Sequence, residues 1–501
     1  MKIRLKKIPL IVWPVVSAGM LALSQPKFDL GWLAWGALAP LAYYIVKAKT
    51  RRAAAAGGLL CGSLFYLALL YWIYPTMRAG GVPPGVAAAG LLLLALLMSL
   101  EFTLAAFFGH CLKKAGLKAW PYVFAAGWFL LESGKVWLCS KAVWFPWFML
   151  GYSQHAYTPL IQICSVTGVY GLGAAIALSG ALAGALLARD LRWPGRALRF
   201  LPAVILFAGI WLYGRAELAR VPAPKAELNV ALLQPSIDFY AKWDAAEAGN
   251  IRTRLERLLG EAKGADLVVW PENALPCWID DEACYTWLKS AVAISSGTAF
   301  VGSVSKGDGR RVAAFLVDSG GGMRGTYEKR QLVPFGEYVP MRGLLGRYIK
   351  PVAALGEFDP GAPSQPLMNF GGLKLGAAIC YESVFPYLFA GDTLQGADLF
   401  VNITNDGWYL DTAAPYQHFA ANIFRAVENR RPVVRAANNG ISGVIDPWGR
   451  VTASTSLNDV TVLKEKVPLY EAKALFPEYG GWLTAAALTA VSAFLLAVLF
   501  L

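Results

Sequence analysis

Charged residues are scarce in this chain: Asp, Glu, Lys and Arg make up 16% of 501 residues, against about 25% in ordinary soluble domains. That argues against a wholly soluble protein, as does a hydrophobic share of 56%. Histidine is rarer still. His110, His155 and His418 are too dispersed for a convincing zinc site, so no metal cofactor is expected. Seven cysteines are too few and too scattered for a disulfide framework, and Cys61, Cys111, Cys139 and Cys164 fall within or beside apolar segments. Cys277 and Cys284 can pair if their domain lies in an oxidising compartment, which spacing alone leaves open. The small residues of GVYGLGAAIALSGALAG point to close helix packing and not to a nucleotide loop. Acidic residues are outnumbered 33 to 46, giving a net charge of +13. In a soluble protein that excess would suggest nucleic acid. Much of it lies in short loops between apolar runs, so it reads as a membrane-topology signal and no nucleic-acid partner is expected.

Long apolar runs are what the chain has in abundance. A bilayer crossing needs about 20 mainly apolar residues. Windows of that kind lie near 8–24, 29–46, 55–74, 85–111, 120–138, 164–188, 197–214 and 481–500, about eight spans. The N-terminal stretch MKIRLKKIPLIVWPVVSAGMLALSQP suits a signal peptide or an uncleaved first span. The nearness of the next apolar run and the lack of a clean cleavage site favour the span. Every second loop is basic: Lys2, Arg4, Lys6 and Lys7; Lys47, Lys49, Arg51 and Arg52; Lys113, Lys114 and Lys118; Arg189, Arg192, Arg196 and Arg199. Because basic loops stay cytoplasmic, both termini are expected inside and the large polar segment outside. The expected organisation is a transmembrane domain over 1–214, an extracytoplasmic domain over 215–480 and a closing helix over 481–501. The aromatic-rich loop KVWLCSKAVWFPWFMLGYSQHAYTP suits an interfacial belt or the wall of a lipid groove. Glu101, inside an apolar run, is expected at an interface or facing the helix bundle.

The outer segment alternates short strands with helices. ELNVALLQP, ADLVVWPE, AFVGSVS, RVAAFLVDS, LKLGAAICYE, ADLFVNITND, PVVRAANNGISGVID and GRVTAST read as strands, and NIRTRLERLLGEAKG and QHFAANIFRAVENRR as helices. A mixed sheet covered by helices is the natural architecture. Three chemically useful side chains follow apolar strands, where active sites of open α/β sheets lie. DLVVWPEN delivers Glu272, GTYEKRQLVPFGEYVP delivers Lys329 and LKLGAAICYES delivers Cys380. A thiol is only a few per cent ionised at neutral pH. A carboxylate can take its proton, and an ammonium can stabilise the oxyanion formed on an attacked carbonyl.

The ordered series WPE, EKRQLVPFGEYVP, CYE, NITNDGWY and FRAVENRRPVVRAANNGISGVIDPWGR resembles the nitrilase, or carbon-nitrogen hydrolase, superfamily. Embedded between spans, it is similar in particular to the apolipoprotein N-acyltransferases of bacterial inner membranes. The resemblance implies a four-layer α-β-β-α sandwich, with Glu272 as general base, Lys329 as oxyanion stabiliser and Cys380 as nucleophile. It also implies supporting roles for Glu337, Tyr381 and Glu382 and a place near the substrate for Trp243, which suits a packed surface aromatic almost equally well. The implied reaction moves an acyl chain from a phospholipid, commonly phosphatidylethanolamine, through a cysteine thioester. The acceptor is the α-amine of a diacylglyceryl-modified N-terminal cysteine on an apolipoprotein. No cofactor is implied. Two other functions fit less of the sequence. One is a membrane-anchored amidase or nitrilase acting on a soluble C–N bond, which leaves so many spans unexplained. The other is a transporter, which needs paired charges within several spans.

Overall fold

The computed structural model describes residues 8–115, 119–140, 145–188, 193–238, 242–339 and 357–499. Of the basic loop residues that set the expected orientation, Lys2, Arg4, Lys6, Lys7, Lys118, Arg189 and Arg192 lie outside the described residues. The chain divides into two compact units, Met1–Arg220 with Tyr479–Leu501, and Val221–Glu478.

The first unit is helical. Among the described residues four helices are long and apolar enough to cross a membrane: Arg51–Leu69, Pro84–Lys114, Cys164–Leu187 and Leu198–Ala219. The other expected windows take different forms. Residues 8–24 hold a helix of 12 residues, Val12–Leu23. Residues 29–46 are broken into Gly31–Leu33, Ala34–Ala37 and Ala39–Lys47, with Pro40 opening the last piece. Trp120–Ser140 is one helix, and Phe476–Leu499 is another.

Trp120–Ser140 runs past the point where a loop is expected and carries Glu132 and Lys135 into the bundle. Lys135 Nζ lies 3.0 Å from Glu101 Oε2, the Tyr66 hydroxyl donates to Glu101, and Glu132 Oε1 accepts from Trp128 Nε1 at 3.1 Å and from Leu150 N–H at 2.6 Å. Glu101 therefore faces the bundle. A lone carboxylate against lipid is costly, and pairing inside the bundle removes that cost. Close helix approach is visible at Gly184, where a Cβ would stand 2.5 Å from the Ala39 carbonyl oxygen.

The second unit is built on two six-stranded sheets. The strands are β1 Ala226–Gln234, β2 Leu267–Val269, β3 Thr298–Ser305, β4 Arg311–Val317, β5 Met323–Glu328, β6 Met368–Phe370, β7 Leu373–Ile379, β8 Leu399–Thr404, β9 Val433–Ala437, β10 Gly443–Ile445, β11 Val451–Ser454 and β12 Thr461–Leu469. Their orders are β12-β1-β2-β3-β4-β5 and β11-β10-β9-β8-β7-β6. Each sheet has a parallel centre, β1-β2-β3 or β7-β8-β9, flanked by antiparallel strands. The parallel strands are buried on both faces, hence the unbroken apolar runs Leu267–Val269 and Leu399–Val401.

The sheets meet with β1 against β9 and β4 against β7. Helix Ala248–Glu261 buries Ile251, Leu255, Leu258 and Leu259, a spacing that forms one face, onto a core shared with Val268, Trp270 and Val301. Helix Glu282–Ser295 joins the same core through Leu288, Ala291 and Val292. On the other sheet, helix Pro386–Leu394 lies on β7 and helix Ala414–Asn429 on β9 and β10. The resulting order is helices, sheet, sheet, helices. Cys277 and Cys284 are joined in a disulfide, with Cα atoms 6.0 Å apart.

β3 passes so close to the end of β2 that a Cβ at Gly302 would strike the Pro271 carbonyl and lie 2.8 Å from Glu272 Cα. Gly302→Ala is expected to displace Glu272, costing about 1–3 kcal/mol from overpacking. A lowered thermal midpoint would be seen in the purified variant. An unchanged midpoint would show that the strands can part without consequence.

Candidate active site

Parallel strands deliver their last side chains to one edge, and the second unit uses that geometry in both sheets. After β2, Trp270 and Pro271 lead to Glu272, which is 4% exposed. Its Oε1 accepts from Lys329 Nζ at 2.9 Å and its Oε2 from Asn405 N–H, just past β8, at 2.9 Å. Lys329 follows β5, and its Nζ also donates to Glu337 Oε1 at 2.6 Å. The other Glu337 oxygen accepts from Val333 N–H at 2.8 Å. One buried ammonium is thus shared between two buried carboxylates. Burial works against the charge of Lys329, but Glu272, Glu337 and Cys380 outweigh it and hold the group well above the ordinary lysine range. Burial raises Glu337, Lys329 opposes the rise and Glu272 adds to it, with an upward net result.

Cys380 begins the tight turn Cys380–Val384 after β7, and its φ is +52°. A non-glycine residue held in the left-handed region marks a strained position that its surroundings must enforce. Burial pushes its thiol up, Glu272 adds to the rise and Lys329 opposes it. The net shift is upward, so the Cys380 thiol is neutral at rest.

Glu382 enforces the turn. Its Oε2 accepts from Ile379 N–H at 2.7 Å and the Tyr327 hydroxyl at 2.8 Å, and its Oε1 from Arg330 N–H at 2.6 Å and Gln331 N–H at 3.0 Å. One side chain therefore ties the backbone before Cys380 to the backbone after Lys329. Tyr381 is buried and packs edge-on against Phe385, with ring centres 5.1 Å apart. Trp243 is half-buried and packs against Trp278, with centres 6.2 Å apart. It belongs to the segment after β1, and Lys242 beside it feels the charge of Glu272.

A second network lies behind Cys380 and was not read from the sequence. His418 Nε2 is 3.0 Å from the Cys380 carbonyl oxygen and its Nδ1 is 2.9 Å from Asp406 Oδ1. Arg435 donates to Asp406 Oδ2 at 2.7 Å and to Asn402 Oδ1 at 2.6 Å, and Asn402 donates to the Ala378 carbonyl at 3.1 Å. Burial alone would raise Asp406, but Arg435 and His418 hold it down at about 2. The available signals were a charge inside the apolar strand VVRAA and the polar run Asn405–Asp406 ending another.

The fold and the strand-end Glu–Lys–Cys cluster define a carbon-nitrogen-hydrolase domain on a chain that also carries membrane-length helices. The carbon-nitrogen hydrolase family model matches residues 229–475, and that for the apolipoprotein N-acyltransferase N-terminal domain matches residues 17–182. The apolipoprotein N-acyltransferase of Geobacter metallireducens is 37% identical over 481 residues, covering 93% of this chain and 91% of that protein. The one from Azotobacter vinelandii is 33% identical over 492 residues, covering 93% and 89%. The chain belongs to the apolipoprotein N-acyltransferase family. Among solved structures, an amidase from Nesterenkonia sp. is 19% identical, with 53% of this chain and 97% of that one covered and a TM-score of 0.38.

Two outcomes are expected from these networks. Glu382→Ala leaves buried backbone N–H groups without an acceptor, which should cost about 1–3 kcal/mol and slow acyl-enzyme formation. Thermal unfolding with a single-turnover assay reads both, and a variant matching wild type would remove Glu382 from the positioning scheme. Asp406 has its folded pKa below its unfolded value. Its contribution is therefore complete above about pH 4 and lost as pH falls through about 2. The stability gap between wild type and Asp406→Asn should shrink over that interval. A gap that stays constant would contradict the assignment.

Proposed function

We propose that the protein transfers an acyl chain from a phospholipid to the α-amine of a diacylglyceryl-modified N-terminal cysteine. Glu272, Lys329 and Cys380 are the catalytic residues. The observation that carries this reading is the buried Lys329 ammonium held between Glu272 and Glu337 at the strand edge that also presents Cys380. Glu272 takes the thiol proton as Cys380 Sγ attacks the ester carbonyl of the donor. The Lys329 ammonium stabilises the oxyanion. Collapse breaks the C–O bond, Glu272 returns the proton to the leaving alkoxide, and a lysophospholipid departs from the thioester. The acceptor amine then attacks the thioester, Glu272 receives its proton, and the amide forms as the thiol is restored.

Glu337 orients Lys329, Glu382 positions the turn, and Tyr381 and Trp243 border the substrates. Phosphatidylethanolamine is the donor we propose, and the bilayer is where both lipidated substrates meet. The alternating basic loops support cytoplasmic termini and a catalytic domain, 215–480, on the outer face of the bacterial inner membrane, between transmembrane segments 1–214 and 481–501. The long apolar helices favour acyl transfer over hydrolysis of a soluble C–N bond, because they give lipid substrates a place and the soluble reaction does not use them.

The test supplies phosphatidylethanolamine and a diacylglyceryl-cysteinyl peptide to the purified protein. Mass spectrometry should show a triacylated peptide and an equal amount of lysophospholipid. N-acetylated acceptor should stay unmodified, and Glu272→Gln should slow turnover by about 10²–10⁴. Amide hydrolysis without any peptide acylation would overturn the proposal.

A further inference from the structure

Lys242 follows β1 and precedes helix Ala248–Glu261. Its side chain is 3% exposed, yet its Nζ has no hydrogen-bond partner among the described residues. The neighbouring indole of Trp243 lies 5.2 Å from the ammonium, and the charge of Glu272 reaches it. The contrast with Lys329 is direct. Both lysines are buried in one unit near one carboxylate, but among the described residues Lys329 has two carboxylate partners and Lys242 has none. A π-face weakly offsets the loss of water around an ammonium and leaves its three N–H donors unsatisfied.

Ile237, five residues ahead of Lys242, is tied to the strand edge that bears Glu272. Ile237 N–H donates to Asn438 Oδ1 at 3.0 Å, and Asn438 Nδ2 donates back to the Ile237 carbonyl at 2.7 Å. The same Nδ2 lies 3.2 Å from Asn405 Oδ1, and Asn405 N–H is the donor to Glu272 Oε2. Arg254 adds two hydrogen bonds, to the carbonyls of Pro235 at 3.1 Å and Ser236 at 3.0 Å. Glu272 and Ile237 thus share one asparagine ladder.

We propose that Lys242 binds the phosphate of the acyl donor and so selects a phosphate-bearing lipid for the first half of the reaction. The inference rests on the acyl-transfer reading above. In that reaction the donor phosphate is the formal anion that enters the site, and it stands on the same glycerol as the scissile ester. A phosphate oxygen can accept from the ammonium and complete its hydrogen bonding, a charge-assisted contact that strengthens where water is excluded. The acceptor brings the opposite charge, an α-ammonium or its amine, so Lys242 acts in acylation and not in transfer to the peptide. Burial holds its pKa down at about 7 with Glu272 opposing, which makes the arrival of an anion the event that fixes the proton.

The experiment measures acyl-enzyme formation by full-length wild type, Lys242→Met and Lys242→Arg with dioleoylphosphatidylethanolamine, dioleoylphosphatidic acid and dioleoylglycerol, which carry the same esters with or without phosphate. Lys242→Met should lower the preference for either phospholipid over dioleoylglycerol by about ten- to hundredfold, the value of one hydrogen bond to a charged group. Lys242→Arg, which keeps the charge, should restore most of that preference. Equal losses on all three donors, no loss on the phospholipids, or a loss confined to the amine-transfer step would each overturn the proposal. A Lys242→Met protein that did not fold would leave the Lys242→Arg ratio as the reading, with retained preference expected and a collapse to that of uncharged donors contradicting it. If wild type formed no acyl-enzyme with any donor, the acyl-transfer reading itself would fail and take this inference with it. If wild type reacted and the ratio did not move, the inference alone would fail.

Discussion

A single buried ammonium organises the second unit. Lys329 is removed from water, and that location is tolerable only because Glu272 and Glu337 stand at 2.9 and 2.6 Å. Those carboxylates in turn are held by backbone donors, Asn405 N–H and Val333 N–H. The strand ends that supply these groups belong to both sheets, so the sheets must meet in one register for the charges to be paired. Removing either carboxylate while keeping the lysine would leave an imbalance inside a dry site. The sandwich and the ion cluster are therefore one construction.

Cys380 depends on the same arrangement through its backbone. Cys380 is placed in a left-handed conformation, and Glu382 braces the turn against the loop that carries Arg330 and Gln331. From behind, His418 reaches the Cys380 carbonyl while Asp406 and Arg435 fix the ring. Positioning is thus enforced from two sides by charged groups that are themselves fully paired, which is the condition under which a polar network specifies geometry. Burial and the charge of Glu272 keep the Cys380 thiol protonated at rest, against the pull of Lys329.

The central site was legible because each of its strands ends an apolar run at a single polar side chain: Glu272, Lys329 and Cys380 stand out against their neighbours. β12 was not legible as a strand. TVLKEKVPL mixes charges with β-branched residues at a half-exposed edge, and its pairing with β1 is set by distant chain. β6 is three residues long and helix Glu282–Ser295 starts beside a disulfide, so neither offered a long periodic signal. The run PVVRAANNGISGVID is two strands, β9 and β10, because the chain reverses at Asn438–Ser442. The sequence assigns no role to His418, whose partners are separated from it by 38 and 12 residues, a relation only the fold supplies. In the helical unit, hydropathy windows found apolar helices; among the described residues the one within 8–24 covers 12 residues and the 29–46 window holds three short pieces. Glu132 and Lys135 lie within the expected span 120–138, where Lys135 pairs with Glu101 and Glu132 accepts from Trp128 and from Leu150 N–H.

The measurement closest to the central claim is intact-protein mass spectrometry of wild type and Cys380→Ala after exposure to phosphatidylethanolamine with no acceptor. The account predicts a fatty-acyl mass increment on wild type alone, removed by hydroxylamine as a thioester should be. An increment that persists in folded Cys380→Ala protein, or none on folded wild type, would contradict it.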